Sequence, residues 1–293
     1  MVPLMLRFLT ITAACLFAVA AHGQTPGPFA SFDKASAPVL NDPHDIAMGP
    51  DGHLYIADKF GNQIVVMDAD TLEVIRTIGE GAMYGVHDVA FDRDGRAIVA
   101  ITGLSAALVF DNLDNAAPEP VAAYRASNTE GALIHSTGRI FVMASGQGVV
   151  GAFDGPDWVD GAGGHLGAHD IAEAPNGDIW IADNNNRRLV RYSKDLAQLQ
   201  ILDHPKFGFV GPRYMDIDAG GRLIVADQDA HRILLIDPEG PDGGTLLGVL
   251  GDGAPGIGPN KFDDPEGVLV DGGRYFFADS DNNRIVRYIV VVN

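Results

Sequence analysis

The chain of 293 residues is strongly acidic: 39 Asp and Glu against 20 Lys and Arg give a net charge of −19, a field that repels nucleic acid and anionic lipid surfaces. With 46% hydrophobic residues it can bury a sizeable core, and 36 glycines suit a turn-rich all-β protein better than a helical one. A single cysteine, Cys15, excludes a fold held by disulfides. The first segment stands apart: Arg7 precedes the apolar run Phe8 to Ala20, and small residues then offer cleavage after Ala20 or Gly23. Residues 1–23 therefore read as a cleaved signal peptide, too short for a spanning helix. A secreted or periplasmic protein of residues 24–293, with no membrane span after processing, is expected.

Next comes an isolated strand-like segment, Pro28 to Asp33, and then a repeat. Its first copy is Asp42-Pro-His44-Asp45-Ile-Ala-Met-Gly-Pro-Asp-Gly52-His-Leu-Tyr-Ile-Ala-Asp58, and its cleanest echo runs from Gly167 through His169-Asp170 and Gly177 to Asp183. Aligning the turn glycines gives six units, near 41–82, 83–126, 127–164, 165–206, 207–259 and 260–293. In the fourth unit an alternating strand (Asp170 to Ala174), the turn Pro-Asn-Gly177 and a second strand (Asp178 to Ala182) form a hairpin. A third strand (Arg188 to Tyr192) and a fourth (Leu199 to Leu202) complete it. Four antiparallel strands in about 40–45 residues are the size of a propeller blade. The sixth unit ends on its third strand, Arg284 to Val290, so residues 28–33 are expected to supply its outer strand and close the ring. The fold class is all-β, a six-bladed β-propeller of four-stranded blades forming one domain.

The second strands end on Asp58, Asp183, Asp227 and Asp279, followed five residues later by Gln63, Arg188, Arg232 and Arg284. An aspartate and an arginine flanking one tight turn can tie neighbouring strands, a structural role. Units two and three carry Ile101-Thr-Gly and Ala144-Ser-Gly instead. The residue opening each first strand is His44, His87, Glu130, His169, Arg213 and Glu266 in turn, six polar side chains expected at the rim of the central channel. Three imidazoles in one register suit zinc. Glu130 or Glu266 could complete the shell or act as a base, and Arg213 could hold a carboxylate or phosphate. Side chains one apart on a strand face opposite ways, so each histidine and its neighbouring aspartate should serve different sites. His53, His135, His165, His204 and His231 read as surface residues, and Trp158, Trp180, Phe91, Phe110 and Phe141 as inter-blade core. No nucleophile-elbow motif is present.

The stretches Ala-Asp183-Asn-Asn-Asn-Arg-Arg188-Leu-Val-Arg-Tyr192 and Ala-Asp279-Ser-Asp-Asn-Asn-Arg284-Ile-Val-Arg-Tyr288 resemble NHL repeats, as does the linker Gly251 to Gly267. Pro43-His44-Asp45-Ile46 resembles the blade-opening motif of peptidylglycine α-amidating lyases, six-bladed propellers that cleave peptidyl-α-hydroxyglycine to a peptide amide and glyoxylate. The resemblance implies zinc on His44, His87 and His169, and a structural calcium near Asp45, Asp88 and Asp170. It also implies catalytic roles for Arg213 and for Tyr84 or Tyr214. The lyase histidines fall on alternate blades, whereas these fall on blades one, two and four. A small-molecule or peptide ligand at the channel mouth, and a monomer, are expected. The alternative is a non-catalytic NHL propeller binding a peptide, glycan or protein partner on its loop face. A calcium-dependent lactonase or phosphatase fits less well, because only Glu130 and Glu266 bring carboxylates to the ring.

Overall fold

A computed structural model describes residues 26–290, so the expected signal peptide lies outside the described residues. Six four-stranded antiparallel sheets stand around a central axis. In the first blade the chain runs outward through Pro43–Met48, Leu54–Asp58, Gln63–Met67 and Val74–Ile78. The inner strands of the other blades are Val86–Phe91, Thr129–Ile134, Ala168–Glu173, Pro212–Ile217 and Pro265–Asp271. The sixth sheet takes its outer strand, Ala30–Ala35, from the other end of the chain, paired antiparallel with Arg284–Val290. The closing strand thus lies where expected, shifted by two residues.

Alternating strands bury both faces of each sheet against the neighbouring blades. Between blades one and two, for example, Tyr55, Val66, Val89, Val99 and Phe110 pack together. The turn aspartates Asp58, Asp183, Asp227 and Asp279 are almost wholly buried. Each accepts backbone N–H groups from the loop that enters its own blade, and each meets the residue five positions on: Arg188 Nε donates to Asp183 Oδ2 at 2.7 Å, and Arg284 Nε to Asp279 Oδ2 at 2.7 Å. Tight turns between second and third strands explain why this pair recurs at a fixed spacing.

Two readings need correcting. His135 and His165 are buried, not superficial: His165 lies 3.2 Å from both Asp183 Oδ2 and the Tyr192 hydroxyl, and His135 packs edge-on against Phe141. Trp158 is 43% exposed rather than core, because its strand, Asp157–Gly163, is the outer edge of blade three. Among the described residues no helix is long and apolar enough to cross a membrane.

Candidate functional site at the channel mouth

Every inner strand has a register irregularity at its opening, as between Pro43 and Asp45, Val86 and Asp88, and Pro212 and Tyr214. The extra residue in each case is the ring residue. A bulge of this kind re-aims side chains, so the ring residue and its successor both reach the channel, at different depths. His44, His87, Glu130, His169 and Glu266 are buried, and Arg213 is partly exposed. Carboxylates and imidazoles pair between adjacent blades. Glu266 of blade six lies against Nδ1 of His44 in blade one, and Glu130 Oε2 of blade three lies 3.0 Å from Nε2 of His169 in blade four. His87 stacks on His44 with ring centres 4.7 Å apart and planes 24° apart. His87 Nδ1–H donates to Gly85 O at 2.8 Å and His169 Nδ1–H to Gly167 O at 2.6 Å, which fixes both rings and turns their Nε2 atoms elsewhere.

Charges separate sharply across this rim. Burial disfavours a charged His44 ring, but the Glu266 and Asp42 carboxylates outweigh it and raise its pKa. Burial next to His44 drives His87 the other way, down to about 3, so its ring is neutral. Burial would raise Asp42, yet His44 and Lys59 hold it down at about 2. Arg213 Nη1 donates to Gln228 Oε1 at 2.6 Å, and Gln228 Nε2 donates in turn to Glu266 Oε1 at 2.9 Å and to Asp264 Oδ2 at 2.7 Å. Asp42, Lys59, Arg213, Gln228, Asp264 and Glu266 line a cavity of about 400 Å³ open to solvent.

Asp42, Lys59, Gln228 and Asp264 are absent from the residues picked out by sequence. A signal for two of them exists: the residue after each second strand is Lys59, Thr102, Ser145, Asn184, Gln228 and Ser280, with no apolar member. Three of these hydroxyls fasten the inner strand of the next blade. Thr102 Oγ1 donates to Thr129 O at 2.9 Å, Ser280 Oγ to Pro43 O at 2.6 Å, and Ser145 Oγ to Ala168 O.

Beneath the rim, Tyr214 crosses the channel. It is 1% exposed, its ring centre lies 6.2 Å from that of His44 and 6.3 Å from that of His169, and its hydroxyl donates to His87 O at 3.0 Å. Tyr84 does not join it; at 69% exposure it sits on the loop before Val86, against Gly103. Below Tyr214, Asp45, Asp88, Asp170 and Asp216 line a second cavity of about 630 Å³ at the opposite end of the channel. Each gives one oxygen to a backbone N–H of the next blade: Val89 N at 3.2 Å, Ala132 N at 2.6 Å, Met215 N at 2.7 Å and Val270 N at 2.7 Å. Burial raises the pKa of all four, Asp216 to about 6. Histidine and aspartate of one pair therefore do face separate compartments. Blades three and six carry glycine at this level, where a Cβ would come within 2.2 Å of His169 O at Gly131 and 2.7 Å of His44 O at Gly267.

The three histidines share one rim without aiming at one point. Stacked, nearly parallel imidazoles hold their lone pairs in separate planes, and His44 and His169 both face carboxylates. The donor atoms that lie within 4.8 Å of one another belong to Asp42, His44 and Glu266. Within that group neither ring nitrogen of His44 nor Glu266 Oε2 makes a well-formed hydrogen bond. One imidazole and two carboxylates with spare lone pairs fit a divalent metal such as zinc.

Residues 37–206 match the family described as "Domain of unknown function (DUF5074)". The chain belongs to that family. The matched DUF5074 segment carries His44, His87, Glu130 and His169, and ends before Arg213 and Glu266. No curated protein matches this DUF5074 chain. Solved propellers do. Virginiamycin B lyase from Staphylococcus aureus superposes with a TM-score of 0.63 at 14% identity, over 86% of this chain and 96% of that one. The PQQ-bound aldose sugar dehydrogenase from Streptomyces coelicolor gives 0.64 at 13%, over 89% and 98%. A structural genomics protein of unknown function from Bacteroides thetaiotaomicron gives 0.69 at 15%, over 91% and 73%. At such identities the likeness is one of fold.

Proposed function

We propose that this protein is a metal-dependent lyase working at the mouth of the propeller channel, with zinc held by Asp42, His44 and Glu266. One observation carries the reading: His44 is fully buried with carboxylates against both ring nitrogens, and its nitrogens and Glu266 Oε2 lack well-formed hydrogen bonds. Buried polar atoms left in this state call for a partner, and a cation held by Asp42, Glu266 and one His44 nitrogen would supply it to that nitrogen, leaving the other to its carboxylate. When bound, the metal would act as a Lewis acid on a substrate oxygen.

The chain's own residues supply the rest. Arg213, braced by Gln228, points a guanidinium into the mouth cavity, where it would hold an anionic group of the substrate. His87 is neutral and makes no hydrogen bond through Nε2 to any described residue, so that nitrogen would accept a hydrogen bond from the substrate. Tyr214 closes the floor between the mouth and the far cavity. A lyase and a dehydrogenase among the fold neighbours support an enzymatic use of this propeller, and the likeness of the His44 motif to amidating lyases makes peptidyl-α-hydroxyglycine the substrate to try first.

The test is the metal content of the purified mature protein and of His44→Ala, Glu266→Gln and His87→Ala, with glyoxylate release from a peptidyl-α-hydroxyglycine followed in parallel. Stoichiometric zinc lost with His44 or Glu266 and kept with His87→Ala is expected. Any calcium in the far cavity should persist in these three variants and be lost in Asp88→Asn and Asp170→Asn. A metal-free parent protein would leave His44 as an imidazolium between two carboxylates, and would turn the reading to a non-catalytic binding propeller.

A further inference from the structure

A second recess lies outside the channel, between blades two and three. It measures about 450 Å³ and is lined by Leu104, Ser105, Arg125, Ser127, Gln147 and Trp158. It occurs where the repeat has lost its aspartate–arginine clamp. At the places held elsewhere by Arg188 and Arg232, which reach back to Gly164 O and Gly208 O, these two blades have Ala106 and Val149. The loops are left unfilled.

Trp158 forms one wall in an unusual setting. Its indole lies flat over Gly151 and Gly161, cross-strand partners on the outer strands of blade three; a Cβ would come within 2.2 Å of the ring at Gly151 and 3.1 Å at Gly161. Phe153 braces its edge at 5.1 Å, and Tyr124 braces Phe153 at 5.1 Å. One indole face is thus seated on glycine, and the residue keeps 43% of its surface exposed. The side chains of Arg125, Ser127 and Gln147 make no hydrogen bonds to other described residues and are exposed. Pockets of this make-up, one aromatic wall with a few uncommitted polar groups, are those that fix small ligands.

We propose that this recess binds a carbohydrate, with one pyranose ring stacked on Trp158. A pyranose offers a flat face of C–H bonds to the indole and a rim of hydroxyls to Ser105, Arg125, Ser127 and Gln147. An extended peptide would ask for alternating pockets along a strand edge, and the recess has a single platform. Polyanions meet one arginine in a chain of net charge −19, which excludes nucleic acid. The site is independent of the metal reading of the channel.

Tryptophan fluorescence reads it directly, because the other tryptophan, Trp180, is buried between blades. The full mature protein would be titrated with neutral hexasaccharides of glucan, xylan, mannan and chitin, and screened on a printed array of acidic and neutral glycans. Binding of at least one glycan with a shift in emission is expected, and Trp158→Ala, followed by titration calorimetry because it lacks the reporting indole, should weaken that binding about tenfold or more. Gly151→Val, which lifts the ring off its bed, should weaken it as well. Unchanged circular dichroism and an unchanged unfolding midpoint would show that both variants fold. The absence of any glycan binding, or binding indifferent to Trp158→Ala, would overturn the proposal.

Discussion

Tyr214 of the fifth blade donates its hydroxyl hydrogen to the carbonyl oxygen of His87 in the second, 3.0 Å away on the far wall of the channel. It joins blades that share no sheet and divides the channel into two compartments of opposite character. The carbonyl it serves belongs to the residue that stacks on His44. Tyr214→Phe would leave that buried carbonyl unpaired, at a cost of about 1–2 kcal/mol. Denaturant unfolding should show the loss, with metal content retained. A variant as stable as the parent would show that the bond contributes nothing.

Asp216 gives a pH signature. Burial lifts its pKa to about 6 from an ordinary 3.8. A folded-state value above the unfolded one means that the native protein binds the extra proton between these limits. Its contribution to stability is complete below pH 3.8 and is lost as pH rises through about 6. Asp216→Asn removes the titration. The stability of the parent relative to this variant should therefore fall by about 2–3 kcal/mol between pH 4 and pH 7. A flat difference across that range would refute the assignment.

The clamp between Arg284 and Asp279 should be costly to break from one side. Asp279 is fully buried, and Arg284 Nε is its charged partner at 2.7 Å. Arg284→Met keeps much of the volume and strands the carboxylate, with an expected loss of about 3–5 kcal/mol in chemical denaturation. Loss of less than about 1 kcal/mol would place this pair with ordinary surface bridges.

Removing the chain through Ala35 takes away the outer strand of blade six and bares the edge of Arg284–Val290. Arg287 also loses Asp33, whose carboxylate accepts from its Nε at 2.7 Å. Open edges recruit other strands, so size-exclusion chromatography should show oligomers or aggregate. A well-behaved monomer would mean that blade six closes without its fourth strand.

The propeller was legible because every blade repeats its turn glycine and its inward alternation, four of the six add the second-strand aspartate, and a pattern written so often survives local noise. The rim was legible for the same reason: one register position yields His44, His87, Glu130, His169, Arg213 and Glu266. What the pattern hides is direction. The bulge at each inner-strand opening is set by strand pairing, so nothing in the order His44-Asp45 says that the imidazole would meet Glu266 and the carboxylate Val89 N. Asp42 and Gln228 escaped notice because they sit on irregular backbone, where alternation offers no guide. Asp42 adopts a positive φ of 62° just before Pro43. Trp158 was misjudged because exposure of an outer strand depends on what packs beyond it, and the sequence does not contain that information.

The two carboxylate–imidazole pairs of the rim, Glu266 with His44 and Glu130 with His169, lie three blades apart. Glycine follows the carboxylate in both, at Gly267 and Gly131, and an amide braces it in both, Gln228 on Glu266 and Asn128 on Glu130 at 2.6 Å. The six-part ring is thus a dyad of triplets, His-His-Glu facing His-Arg-Glu. The residues two places before the ring break this symmetry: Asp42 precedes His44 and Asp264 precedes Glu266, where Gly167 precedes His169 and Asn128 precedes Glu130, so both extra anions fall beside the Glu266–His44 pair. The mouth has in consequence an electrically loaded side and a plain one. A charged ligand entering along the axis would be turned to a single orientation by that field.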